Sequence, residues 1–210
     1  MAMYDAEYLR LARSLCDCYE VHLIADEIMT GFGRSGTFFA HEQAGITPDF
    51  LCLSKGITGG YLPLAAVMTT DRVYNAFYDD AATRGFLHSH SYTGNPLACR
   101  AALATLDIFA ADCVIETNRT RSAAITEAAA PLARHPRVRN FRNTGMIWAF
   151  EADTAGAGFA RNYHQAALGH GVLLRPIGDT VYFMPPYVID AEETACLIAG
   201  ALAALNECPA

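Results

Sequence analysis

Lysine occurs once in this chain, at Lys55, against fourteen arginines. A GC-rich genome depletes lysine in favour of arginine and alanine, and that alone accounts for the imbalance. Arginine, however, replaces lysine only as a charge. A guanidinium does not shed its proton to become a nucleophile, so a lysine kept for Schiff-base chemistry cannot be exchanged. Its candidate companion is Asp26. Residues 21–25 are a short apolar run ending in Asp26-Glu27, which predicts a buried strand with two carboxylates at its C-terminal end; residues 50–53 predict a second, ending at Ser54-Lys55. In open parallel sheets ligands sit beyond the carboxyl ends of the strands. An aldehyde cofactor with a pyridine ring needs these two groups. The amine forms the Schiff base, and the carboxylate keeps the ring nitrogen protonated so that the ring draws electrons. Both residues also have ordinary readings, since lysine beside glycines is common and aspartate at a strand end often caps a loop. Spacing alone leaves the two open.

Other groups offer weaker chemistry. His88 and His90 suggest a metal, but no third ligand stands at a convincing spacing. Glycines at 31, 33 and 36 suggest a phosphate loop, yet the Lys-Ser/Thr ending of such loops is missing. Seven cysteines occur without a C-x-x-C pair, which reads as free thiols in a reducing compartment. Arg175 sits at the end of a predicted strand. It is either a surface charge or a planar fork for a carboxylate.

The elements that must position these groups follow from periodicity. Residues 4–19 read as a helix, 50–53 and 64–69 as strands, and Asp71 as the cap of a helix from 72 to 78. Pro96 opens an alanine-rich helix to 111, and a further helix covers 116–132. Strands are expected at 138–142, 145–151, 172–175 and 180–184, and helices at 158–170 and 191–205. The chain thus divides into residues 1–112, which alternate helix and strand as in a parallel doubly wound sheet, and 113–210, a smaller α/β unit. Three strands make a poor free-standing parallel sheet. With 52% hydrophobic and 18% charged residues the chain can bury a core. Its net charge of −7 argues against a nucleic-acid groove. The apolar stretch 195–205 is too short to cross a bilayer, and residues 1–13 read as an amphipathic segment with Asp5 and Glu7 rather than a signal peptide, so a cytoplasmic location is expected.

The order and spacing of four blocks resemble a known family. Leu23-Ile24-Ala25-Asp26-Glu27-Ile28, then Gly31-Phe32-Gly33-Arg34-Ser35-Gly36, then Pro48-Asp49, then Ser54-Lys55-Gly56 with Gly59-Gly60, resemble the signature of the class III pyridoxal-phosphate-dependent aminotransferases. Gly94-Asn95-Pro96-Leu97-Ala98-Cys99 is similar to the family's next block. The resemblance implies an α/β fold-type I transferase, seen here in its C-terminal half only: part of the parallel-sheet large domain, then the small α/β domain. It implies pyridoxal 5'-phosphate as cofactor, a cytoplasmic homodimer with a shared active site, and roles for named positions. Asp26 would pair with the pyridine nitrogen and Ile28 would pack on the ring. Lys55 would be the Schiff-base lysine and then the proton carrier. Ser91 stands where the family often has a threonine that reaches the cofactor phosphate of the neighbouring subunit.

Arg175-Pro176-Ile177-Gly178 and Tyr182-Phe183-Met184-Pro185-Pro186-Tyr187 resemble the branch of the family that serves biotin synthesis. That branch aminates 8-amino-7-oxononanoate to 7,8-diaminononanoate with adenosylmethionine or lysine as donor. By this resemblance Arg175 binds the substrate carboxylate and Tyr182 helps line the substrate site. Ser89 departs from the branch, which commonly has glycine there, and its bulk bears on substrate choice. Two alternatives stand beside this reading: another class III enzyme acting on an ω-amino acid or an amine, and a non-catalytic remnant.

Overall fold

The computed structural model describes residues 1–208 other than 155 and 157, and these form two compact units. One runs from Tyr4 to Ile115; the other joins Met1–Met3 to the chain from Glu116 onward. Sequence order had put the first three residues with the first unit. Instead the Arg142 guanidinium donates to the Met1 carbonyl through Nε at 2.9 Å and Nη2 at 2.7 Å.

In the first unit, helix α1 (Ala6–Cys18) starts where the Asp5 carboxylate accepts from the Glu7 N–H, satisfying one of the donors a helix start leaves open. No residue of α1 is buried. Its hold on the unit is polar: Arg10 Nε donates to the Ala44 carbonyl at 3.1 Å, and Arg13 Nη1 to Asp49 Oδ2 at 2.8 Å. Strand β1 (Ile24–Asp26) pairs parallel with β2 (Phe50–Leu53), Ile24 opposite Phe50 and Asp26 opposite Cys52. Strand β3 (Ala66–Thr69) pairs with β2 in the antiparallel sense, against the expectation of an all-parallel sheet. The connection explains this. Residues 54–65 contain one 3-10 turn, Lys55–Thr58, and no crossover helix, and a chain that turns back directly can only return antiparallel. Helix α2 (Asp71–Phe77) is capped by Thr70 rather than Asp71, the Thr70 side chain accepting from the Val73 N–H. Helix α3 (Pro96–Ala111) opens as its sequence requires, with Asn95 Oδ1 accepting from the Leu97 N–H at 3.0 Å and Pro96 in the first turn.

The second unit holds the larger core. Helix α4 (Val114–Ala128) and the short α5 (Ala130–Ala133) replace the single helix expected over 116–132; Pro131 lacks an N–H and breaks the run. Strands β4 (Val138–Thr144), β5 (Ile147–Ala152) and β6 (Thr180–Phe183) form an antiparallel sheet in that order. A two-residue turn, Gly145-Met146, joins the first pair, with Gly145 at φ +55°, where a side chain would be strained. Residues 147–150 are buried in succession, so both faces of β5 are covered. Trp148 stacks on Phe183 at 5.4 Å and donates its indole N–H to Thr126 Oγ1 at 2.9 Å. Helices α6 (Phe159–Gly169) and α7 (Ala191–Glu207) add Tyr163, Ala167, Ile198, Ala201 and Leu205 to this core. A reciprocal cap starts α7: Asp190 Oδ1 accepts from the Glu193 N–H, and the Glu193 carboxylate from the Asp190 N–H.

Residues 172–175 are not a strand. Val172 and Leu174 are buried and Leu173 and Arg175 exposed, an alternation the apolar run Val172-Leu173-Leu174 does not itself show. The segment meets that pattern by lying extended on the core, without pairing. Among the described residues no helix is long and apolar enough to cross a membrane.

Candidate active site

Asp26 and Lys55 stand at the C-terminal ends of neighbouring parallel strands. Asp26 lies opposite Cys52 in the register, and Lys55 follows three residues later, across the ~4.8 Å that separates paired strands. Asp26 is exposed, and its Oδ1 accepts from the Ile28 N–H at 3.1 Å. Ile28 is half-buried two residues on. Lys55 is exposed, and no hydrogen bond or ion pair engages its ammonium among the described residues. Its backbone takes φ +49°, a left-handed conformation that costs a non-glycine residue about 1 kcal/mol. Such conformations persist where the surroundings impose them. Here Ser54 Oγ donates to the Leu64 carbonyl at 2.7 Å and the buried Thr58 Oγ1 to the Leu62 carbonyl at 2.6 Å, pinning the turn on both sides of the lysine.

The two strand-end carboxylates differ in kind. Successive strand side chains point to opposite faces, and where Asp26 meets solvent Glu27 is 3% exposed. The Glu27 carboxylate accepts from the Ala40 N–H at 2.6 Å, the His41 N–H at 2.8 Å and Thr30 Oγ1 at 2.9 Å, and His41 Nδ1 lies 2.9 Å from it. It therefore folds the glycine-rich segment back on β1. Within that segment the buried Phe32 meets Phe38, Phe39 and, from α3, Phe109. Gly56 lies against Phe32 so closely that a Cβ there would come within 2.9 Å of the Phe32 Cβ. The residue after Lys55 must accordingly be small. Reading the sequence had grouped Glu27 with Asp26, although strand alternation was the signal that separates them.

Ser89 and Ser91 are both exposed, in an irregular stretch between the 3-10 turn Ala82–Arg84 and α3. Their neighbours build a local turn in which the His90 N–H donates to Thr93 Oγ1 at 3.0 Å and the Tyr92 N–H to His90 Nδ1 at 3.1 Å. No bond joins either serine to Asp26 or Lys55 among the described residues.

In the second unit, Arg175 and Tyr182 share one open groove of about 360 Å³. Met184, Pro185, Pro186 and Leu197 complete much of its wall, so a single exposed guanidinium stands beside an apolar surface. Such a site suits a chain-like acid: apolar walls for the chain and a forked donor for the carboxylate.

A family model described as Aminotransferase class-III matches residues 1–205. The chain is 47% identical over 213 residues to the adenosylmethionine-8-amino-7-oxononanoate aminotransferase of Helicobacter pylori, covering 99% of this chain and 49% of that protein. The solved structure of the same-named protein from Methanocaldococcus jannaschii matches with a TM-score of 0.88 at 34% identity, over 96% of this chain and 49% of that one. An amine transaminase from an uncultivated Pseudomonas species, solved in its PLP-bound form, also matches with a TM-score of 0.88 at 34% identity, over 97% and 48%. The chain thus spans about half the length of the relatives it matches and has the α/β architecture of the matching half of those transaminases. It belongs to the class III aminotransferases.

Proposed function

We propose that the protein uses pyridoxal 5'-phosphate to transfer an amino group to 8-amino-7-oxononanoate, giving 7,8-diaminononanoate for biotin synthesis. The observation that carries this reading is that Asp26 ends β1 and Lys55 follows just after the end of β2, its parallel neighbour. An exposed carboxylate and an amine without a protein partner fit a group that has a basic ring nitrogen and an aldehyde. When bound, that group captures amines covalently and withdraws electrons through its ring. Lys55 would hold it covalently through Nζ, and the released amine would take the proton from the substrate carbon that bears nitrogen. Asp26 would keep the ring nitrogen protonated, and Ile28 would pack against the ring. The unit Tyr4–Ile115 would form part of the cofactor-binding large domain, and the unit from Glu116 onward the small domain. In a cytoplasmic homodimer Ser91 would reach the phosphate held by the other subunit.

Arg175 would pair with the substrate carboxylate, while Tyr182 and Ser89 shape the space along the chain. The names of the relatives from H. pylori and M. jannaschii support this substrate; adenosylmethionine or lysine would be the donor. A likeness to an amine transaminase equal to that of the M. jannaschii structure supports a second reading, a class III enzyme acting on an amine. Arg175 beside apolar walls favours the keto acid. In the protein as its gene encodes it, borohydride reduction of the cofactor-loaded form should label Lys55, and Lys55→Arg should abolish turnover of 8-amino-7-oxononanoate. Label at another position, or none in a folded cofactor-loaded protein, sinks the assignment.

A further inference from the structure

Among the described residues 172–175 pair with no strand, so something else must hold them. Three anchors are visible. The Val172 N–H donates to the Ala167 carbonyl at 3.0 Å, upstream of the arginine. Downstream, Ile177 and Thr180 exchange backbone bonds at 2.9 and 3.0 Å. Between them, His164 on α6 reaches the Leu174 carbonyl through Nδ1 at 2.8 Å. A carbonyl only accepts, so Nδ1 carries the proton. The Leu174 carbonyl and the Arg175 N–H belong to one peptide plane. The histidine thus grips the peptide plane from which the arginine side chain departs.

We infer that His164 is a positioning residue for substrate recognition: it fixes the direction of Arg175 and so the aim of its guanidinium. This rests on the reading of Arg175 as the carboxylate clamp. A bidentate fork is worth most when it is already oriented, because a long side chain on a loose backbone loses rotational freedom each time it binds. A merely structural histidine would alter stability without discriminating between substrates. A positioning one alters the KM of a substrate that has a carboxylate and spares one that lacks it.

The test compares 8-amino-7-oxononanoate with its analogue bearing methyl in place of the carboxylate, in the protein as its gene encodes it. His164→Ala should raise KM for the acid about tenfold, the loss of one fixing hydrogen bond, and leave kcat within about twofold. The methyl analogue should show no change. His164→Asn, whose amide Nδ2 stands near the position of the imidazole Nδ1, should restore KM. In an Arg175→Ala background the effect of His164→Ala should disappear, because the two act through one contact. If alanine costs the fold, His164→Phe keeps the packing volume without the donor and makes the same comparison. An Arg175→Ala variant with raised KM beside a His164→Ala variant with normal KM overturns the inference alone. An unchanged KM in Arg175→Ala overturns the carboxylate reading and the inference with it.

Discussion

Asp26 and Glu27 show how one residue step separates chemistry from scaffold. The exposed carboxylate is open to a ligand; the buried one is occupied by three donors and the His41 ring from the loop it folds. A buried carboxylate with several charge-assisted bonds is tolerated because its lone pairs are used. Removing it strands the donors. Glu27→Ala should therefore destabilise the first unit by about 2–3 kcal/mol, since three half-buried donors lose their acceptor and a fully buried one would cost about 1–3 kcal/mol by itself. Asp26→Ala, at an exposed site, should fall within about 0.5 kcal/mol of wild type while weakening cofactor retention. Denaturant unfolding of the two variants side by side checks the contrast, and equal destabilisation would show that Asp26 too is scaffold. From sequence, the family blocks pointed to Asp26, Lys55 and Arg175 as residues. The same letters say nothing of the hydrogen bonds that Glu27 and His164 make, because most of these go to backbone groups 10 to 14 residues on, which carry no sequence signature.

Elements whose signals are local were legible. The apolar run 50–53 before Ser54-Lys55 is β2 to the residue, and the pair Asn95-Pro96 opens α3 where such a cap should. Strand direction was not legible, because the apolar run 64–69 reads the same whichever way the chain runs. The apolar run 172–174 likewise calls only for burial, and a lone extended segment on a core supplies it as well as a paired strand does. Asp49, just before β2, ties three elements together. It accepts from Arg13 of α1 and from the Leu23 N–H ahead of β1, and Arg72 of α2 lies 4.0 Å away. The Arg13 guanidinium, with the Leu23 N–H, draws its carboxyl down from 3.8 to about 2. Because the folded value is depressed, the stabilisation is fully present above pH 3.8 and is lost as pH falls through about 2. Asp49→Asn should thus cost on the order of 1–2 kcal/mol near neutral pH, allowing for screening, and nothing extra at the acid end. Thermal unfolding of both proteins across that range reads it, and a gap that persists undiminished at pH 2 would assign the effect to shape rather than charge.

At the scale of the whole chain, the two units differ in how completely they bury what they must. The second covers both faces of β5 and encloses Trp148, Phe150 and Tyr163 fully. The first leaves Tyr4, Tyr8, Leu11, Leu15 and Tyr19 between 49% and 73% exposed, and the spacings of three and four put Tyr8, Leu11 and Leu15 on one side of α1, with Tyr4 and Tyr19 just beyond its ends. Ile24 on β1 and Val67 on β3 are each 62% exposed. Among the described residues strand β1 pairs on one side only, so its outer backbone groups stand as a template for pairing. Contiguous apolar surface beyond a few hundred Å² and an open strand edge both drive association. The 210-residue chain on its own should therefore form species larger than one chain in light scattering, and bind pyridoxal phosphate weakly without transaminating. Residues 116–208 expressed alone should be monomeric with a cooperative unfolding transition, because their core is closed. Charges placed on the α1 stripe, Tyr8→Lys with Leu15→Glu, should reduce the association of the full chain, since both side chains point away from the Arg10 and Arg13 contacts that hold the helix. A monodisperse, transaminating single chain would mean that neither the stripe nor the strand edge needs a cover, and that the site assembled around Lys55 is sufficient as it stands.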